Sequence, residues 1–100
     1  MLENVTGDVQ IVEVGPRDGL QNEAKVLETE DKFSFIVKLA KAGFSCIEAT
    51  SFVRHDRVPQ MADGEKLFSR LTETPKLKGI DFPVLIPNLK GLEKALKVKA

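Results

Sequence analysis

"VQIVEVGPRDGLQNE" occupies Val9 to Glu23. Its first six residues are short and largely β-branched, and Gly15-Pro16 follows at once. They predict a strand over Val9 to Val14 that stops there. Behind the stop stand Arg17, Asp18 and Gln21, the densest polar group in the chain. Open α/β sheets and barrels bind ligands beyond the carboxyl ends of their strands. A strand ending in such a group is placed to present chemistry. Gly15 and Gly19 are expected to supply backbone angles closed to other residues, and Pro16 to stiffen the bend between them. Arg17 and Asp18 would then be held in fixed directions.

The pattern repeats downstream. "TEDKFSFIVKLAKAG" predicts a helix with Thr29 as its cap, Glu30 and Asp31 in its first turn, and Phe33, Ile36, Val37 and Ala40 on one stripe. Gly43 ends it as the glycine beyond the last turn. "SCIEATSF", Ser45 to Phe52, predicts a second strand. A loop through Val58-Pro59 leads to a helix around Asp63 to Leu71, with Leu67, Phe68 and Leu71 facing inward. "TPKLKGID" reads as a loop and "FPVLIP", Phe82 to Pro87, as a third strand. Asn88 then caps a helix carrying Leu89, Leu92 and Leu96.

The order β-α-β-α-β-α argues for parallel strands with helices packed on them. A three-stranded parallel sheet would leave two open edges, whereas such sheets are normally covered. The chain therefore reads as residues 1–100 of one domain, the first three units of a (β/α)₈ barrel, which typically needs about 250 residues.

Composition narrows the function classes. Apolar residues make up 42% of the 100, which favours a folded domain. Fifteen basic and fifteen acidic side chains cancel, so charge offers no case for nucleic acid or an anionic membrane. Lys90, Lys94, Lys97 and Lys99 read as a solvated helix face. No apolar run approaches the roughly 20 residues of a membrane span. The start, MLENVTGD, has two acids and no base, unlike a signal or transit peptide. One cysteine allows no internal disulfide and suits a reducing compartment. The expectation is a soluble, intracellular protein.

Strand alternation assigns faces. In the second strand Cys46, Glu48 and Thr50 share one side and Ile47 and Ala49 the other. The apolar side should meet the helices, so Glu48 should point into the barrel. In the first strand Val12 and Val14 should face the helices, and Glu13 should turn inward with Ile11. A buried carboxylate needs a partner. Glu13, Asp18, Glu48 and Arg17 are therefore expected to form one network, with Arg17 as its permanent cation and Asp18 as a hard oxygen donor suited to Mg²⁺ or Mn²⁺. A purely structural ion network at a strand end is the alternative. Cys46 reads as a packed core thiol, and Arg54 to Arg57 with His55 as a solvated loop.

These residues resemble a known family. "EVGPRDGLQNE", "AGFSCIEATSFV", "VPQMAD" and "FPVLIPNLKG" are similar, in that order, to segments of the 3-hydroxy-3-methylglutaryl-CoA lyases, metal-dependent enzymes built on a TIM barrel. Related synthases and aldolases carry a "LRDGEQ"-like loop, so "GPRDGLQNE" with "PNLKG" points to the lyase branch. The resemblance implies cleavage of 3-hydroxy-3-methylglutaryl-CoA to acetyl-CoA and acetoacetate, as in leucine degradation and ketone-body formation. It implies that Arg17 contacts substrate and stabilises the enolate, and that Asp18 is a metal ligand. Gln21 would be a polar residue near the metal and substrate. Glu48 would support the arginine in catalysis, and Asn88 would lie on the acyl-CoA side. It implies a Mg²⁺ or Mn²⁺ cofactor, a small-molecule acyl-CoA substrate and a homodimer when complete, in the cytoplasm or alternatively the mitochondrial matrix. A His-x-His pair, a late Asn and a loop cysteine also belong to the pattern and are not among these residues. The alternatives are a sister aldolase or Claisen-type synthase on the same scaffold, or a non-catalytic, self-associating piece.

Overall fold

The computed structural model describes residues 11–53 and 58–98. Expectations for Val9, Gln10, His55, the Arg54 to Arg57 loop and Lys99 lie outside the described residues. Helix α1 is Thr29–Lys41, α2 is Gly64–Thr72 and α3 is Leu89–Lys97. Short 3₁₀ turns at Pro59–Met61 and Pro75–Leu77 lead into α2 and the third strand. Among the described residues all strand pairing is parallel. Glu13 bridges Ile47, Cys46 bridges Asp81, and Thr50–Ser51 pair with Val84–Leu85. The second strand is thus central, with the first on one side and the third on the other. Among the described residues no helix is long and apolar enough to cross a membrane.

The helices form for the reasons the sequence offers. In α1 the stripe Phe33, Ile36 and Val37 is buried. Gly43 takes φ 108°, a value that favours glycine, and lets the chain leave the helix. In α2 Leu67, Phe68 and Leu71 are buried. The main core joins those two helices to Ile47, Ala49 and Leu77, so the apolar face of the second strand does meet the helices. A second cluster gathers Phe52, Phe68 and Ala95. It carries α3 against the end of the second strand, and Phe68 meets Phe82 edge-on at 6.4 Å between ring centroids.

Several expectations are corrected. Thr29 does not cap α1: Glu28 holds that position, and Thr29 is buried with its hydroxyl turned to Asp63. Asn88 does cap α3, its side chain accepting from Gly91 N at 2.8 Å. The side of α3 that packs, however, is Gly91 and Ala95, while Leu89, Leu92 and Leu96 are exposed. The faces of the first strand are the reverse of those expected. Bridged residues of neighbouring strands project to the same side, so Glu13 lies with Ile47 toward the helices. Its Oε1 accepts from Gly15 N at 2.9 Å, and Phe35 of α1 lies beside the same glycine. Val12 and Val14 point the other way and are exposed.

The second strand also departs from simple alternation. Between the pairs Cys46–Asp81 and Thr50–Val84 it uses one more residue than its partner does. Ladder hydrogen bonds frame the surplus: Ala49 N donates to Pro83 O at 3.2 Å, and Phe52 N to Leu85 O at 2.9 Å. This is a bulge. Past it the sides exchange. Thr50 turns to the helices, its Oγ1 3.7 Å from Met61 Sδ, instead of facing inward with Glu48. Ser51, set between Thr50 and the core residue Phe52, turns inward.

Candidate active site

The polar group behind the first strand is built on a single π-helical turn, Gly15–Gly19. Such turns are rare, because their hydrogen bonds are poorly matched to the chain, and they recur at functional sites. Here one acceptor organises the bend: Val14 O receives Arg17 N at 3.1 Å, Asp18 N at 2.7 Å and Gly19 N at 3.3 Å. Pro16, which has no N–H to place, is buried at its start. The glycines are not needed for positive φ, since among the described residues only Gly43 and Gly79 adopt it. Gly15 is needed for room: a Cβ there would lie 2.9 Å from Glu13 Oε1 and 3.1 Å from the Phe35 ring. Gly19 has open space around it.

The turn aims Arg17 across the sheet. Its Nε donates to Glu48 Oε1 from the second strand, and both side chains are mostly shielded, at 19% and 17% exposure. That shielding matters because a charge pair removed from water interacts more strongly than one on the surface. Asp18 is the outer member, 56% exposed, with its Oδ1 3.5 Å from Arg17 Nη1. Asn22 ties the far side of the turn through Nδ2 to Asp18 O at 2.9 Å. The expected network therefore forms from Arg17, Glu48 and Asp18, without Glu13. Gln21 stands just beyond the turn, and its Oε1 is buried with no hydrogen-bond partner among the described residues. Asn88 is not part of this group. It lines a separate cleft of about 410 Å³ with Phe52, Val53, Lys90, Gly91 and Lys94.

A second set of polar residues supports the loop. Lys32, in the first turns of α1, is 2% exposed. Its Nζ donates to Asp63 Oδ1 at 2.5 Å and to the carbonyl of Gln60. Thr29 Oγ1 donates to Asp63 Oδ2 at 2.6 Å, and Gln60 Nε2 donates to Glu23 O at 2.6 Å. The segment after Arg17 is thereby tied to the loop before α2. The signal for this lay in the sequence: Lys32 interrupts the apolar stripe of α1 between Thr29 and Phe33, and a lysine there needs a buried acceptor.

A divalent ion requires several donors. Among the described residues no three of His, Cys, Asp and Glu are grouped to hold one. Asp18 offers a single exposed carboxylate, so these residues do not make a metal site by themselves. Cys46 is a buried free thiol within the sheet.

The model of the HMGL-like family matches residues 8–100. The chain belongs to that family. Hydroxymethylglutaryl-CoA lyase from Macaca fascicularis, a mitochondrial enzyme, is 50% identical over 99% of this chain. The cytoplasmic 3-hydroxy-3-methylglutaryl-CoA lyase of Rattus norvegicus is 49% identical over 92% of it. Among solved structures, hydroxymethylglutaryl-CoA lyase from Pseudomonas aeruginosa superposes with a TM-score of 0.82 at 44% identity, covering 92% of this chain. The match covers 30% of the length of the Macaca enzyme and 30% of the Pseudomonas chain. The fold is accordingly the amino-terminal part of the TIM barrel of HMGL-like lyases, with parallel strands and outer helices.

Proposed function

We propose that residues 1–100 are the opening part of one TIM-barrel domain that cleaves 3-hydroxy-3-methylglutaryl-CoA to acetyl-CoA and acetoacetate. The supporting observation is the shielded Arg17–Glu48 pair, aimed from a fixed turn onto the inner side of the second strand. The reaction removes the proton of a tertiary hydroxyl, breaks the adjacent carbon–carbon bond and leaves the enolate of acetyl-CoA, which is then protonated. Negative charge grows on the thioester oxygen as that bond breaks. A cation already in place stabilises this growing charge without having to reorganise. Arg17 is proposed for that task, and Glu48 as the acceptor that holds its guanidinium in direction. Gln21, with an unsatisfied buried oxygen, is proposed to meet a substrate hydroxyl, and Asn88 to border the acyl-CoA cleft.

The family's divalent ion, Mg²⁺ or Mn²⁺, would acidify the substrate hydroxyl and orient it. Asp18 would supply one oxygen ligand, with the others coming from residues beyond these. A reducing compartment suits the free thiol of Cys46. The cytoplasm is proposed, with the mitochondrial matrix as the alternative and a homodimer of completed barrels as the assembly.

The test is direct. With the remaining βα units supplied, the protein should turn over 3-hydroxy-3-methylglutaryl-CoA with added Mg²⁺ or Mn²⁺. Arg17→Gln should reduce kcat by about 10²–10³, with a lowered thermal midpoint because Glu48 loses its cation and with the far-ultraviolet circular dichroism of the folded protein unchanged below that midpoint. Turnover by Arg17→Gln at the unsubstituted rate would remove Arg17 from the mechanism.

A further inference from the structure

We propose that Ser51 is a substrate-orienting donor, delivering its hydroxyl hydrogen bond to a carbonyl or carboxylate oxygen of the acyl group. The assignment rests on the lyase reading above and adds a residue to it.

Three observations lead there. The first is direction. Ile47 and Ala49 belong to the helix-side core, Thr50 contacts Met61, and Phe52 packs with Phe68 and Ala95. Ser51, between Thr50 and Phe52, must project to the opposite side, which is the side of Glu48. Only the bulge makes this so, since regular pleating would set Ser51 with Ile47 and Ala49. The second is place. Ser51 ends the paired part of the second strand, opposite Leu85 and one inward position beyond the carboxylate that holds Arg17. The third is an unmet bond. Ser51 is 0% exposed, and its Oγ has no hydrogen-bond partner among the described residues.

A buried hydroxyl without a partner is a cost to the folded chain, and alanine would relieve it. A serine kept there is explained by a partner that is present only part of the time. The inner side of a barrel strand at its carboxyl end is where substrate enters. A hydroxyl aimed at an acyl oxygen that gains negative charge as the carbon–carbon bond breaks bonds it more strongly in the transition state than in the bound substrate, and such an interaction acts on kcat more than on KM.

The experiment compares the completed barrel with its Ser51→Ala and Ser51→Gly variants in steady-state kinetics on 3-hydroxy-3-methylglutaryl-CoA and in thermal unfolding. Expected is a fall in kcat of about 10- to 100-fold for Ser51→Ala, with KM changed little and a thermal midpoint equal to or above that of the parent. Ser51→Gly, which also lacks the hydroxyl, should lose the same activity. Parent-like kcat in Ser51→Ala, while the parent itself cleaves substrate, would overturn the assignment and leave the lyase reading intact. A thermal midpoint lowered in step with kcat would overturn it as well, since the hydroxyl would then be structural. A parent protein unable to cleave the thioester would instead overturn the lyase reading, and this assignment with it.

Discussion

Lys32 shows how much depends on single side chains here. It is almost fully buried, and Asp63 and the Gln60 carbonyl are its acceptors. Removing one member of a buried ion pair strands the other, which costs about 3–5 kcal/mol. Asp63 keeps some access to water at 21% exposure, so Lys32→Ala is expected at the lower end, about 3 kcal/mol, read as a shifted urea midpoint in the completed barrel. Turnover should fall too, because the loop after Arg17 loses its anchor at Glu23. A midpoint unmoved by Lys32→Ala would show that the anchor contributes nothing. Arg17 and Glu48 were legible as a pair because Arg17 follows the end of the first strand, Glu48 falls on the inward side of the second, and a shielded charge needs a partner. Lys32 is harder to read, because it sits in a helix whose pattern is otherwise that of an ordinary amphipathic one.

Elements meet at close quarters where α3 begins. A Cβ on Gly91 would stand 2.3 Å from the carbonyl oxygen of Phe52. Backbone cannot step aside as a flexible side chain can. Gly91→Ala should therefore destabilise the fold by about 2–3 kcal/mol, whereas Gly19→Ala, with nothing within 4 Å, should stay within about 0.5 kcal/mol. Chemical denaturation of both variants checks the contrast, and equal effects would contradict it. Asn88→Ala removes the cap bond to Gly91 N and should cost about 1 kcal/mol. Element order, the burial of α1 and α2 and this cap were readable because periodicity, Gly43 and Asn88 are local signals. The strand faces were not, because alternation presumes a regular pleat. The faces of the first strand follow from which residue of the second it bridges, and the bulge follows from the register against the third. Neither is written in the strand itself.

At the scale of the molecule, the two outer strands are each paired on one side only among the described residues. Large apolar side chains are uncovered beside them: Ile11 at 66%, Leu89 at 71% and Leu96 at 64% exposure. In a complete barrel, neighbouring units would lie along both edges. The 100-residue chain studied by itself should associate as its concentration rises, through sheet edges and the leucine side of α3. Sedimentation velocity over a range of concentrations reads this directly. A single monomeric species throughout would show that these surfaces are tolerated bare.

The extra residue in the second strand separates its count of residues from its pleat. Deleting Ala49 or Thr50 would restore one-to-one pairing with the third strand, so Ser51 would stay opposite Leu85 on the inner side and Phe52 would stay with the helices. An added residue next to Thr50 that was taken up by regular pleating would do the opposite, driving Ser51 into the helix layer and the ring of Phe52 into the space meant for substrate. Evolution can exchange side chains in this strand, and it can lose the surplus residue, but a further insertion there scrambles the lining of the site. Any sequence alignment that slides a gap by one place would credit the wrong hydroxyl.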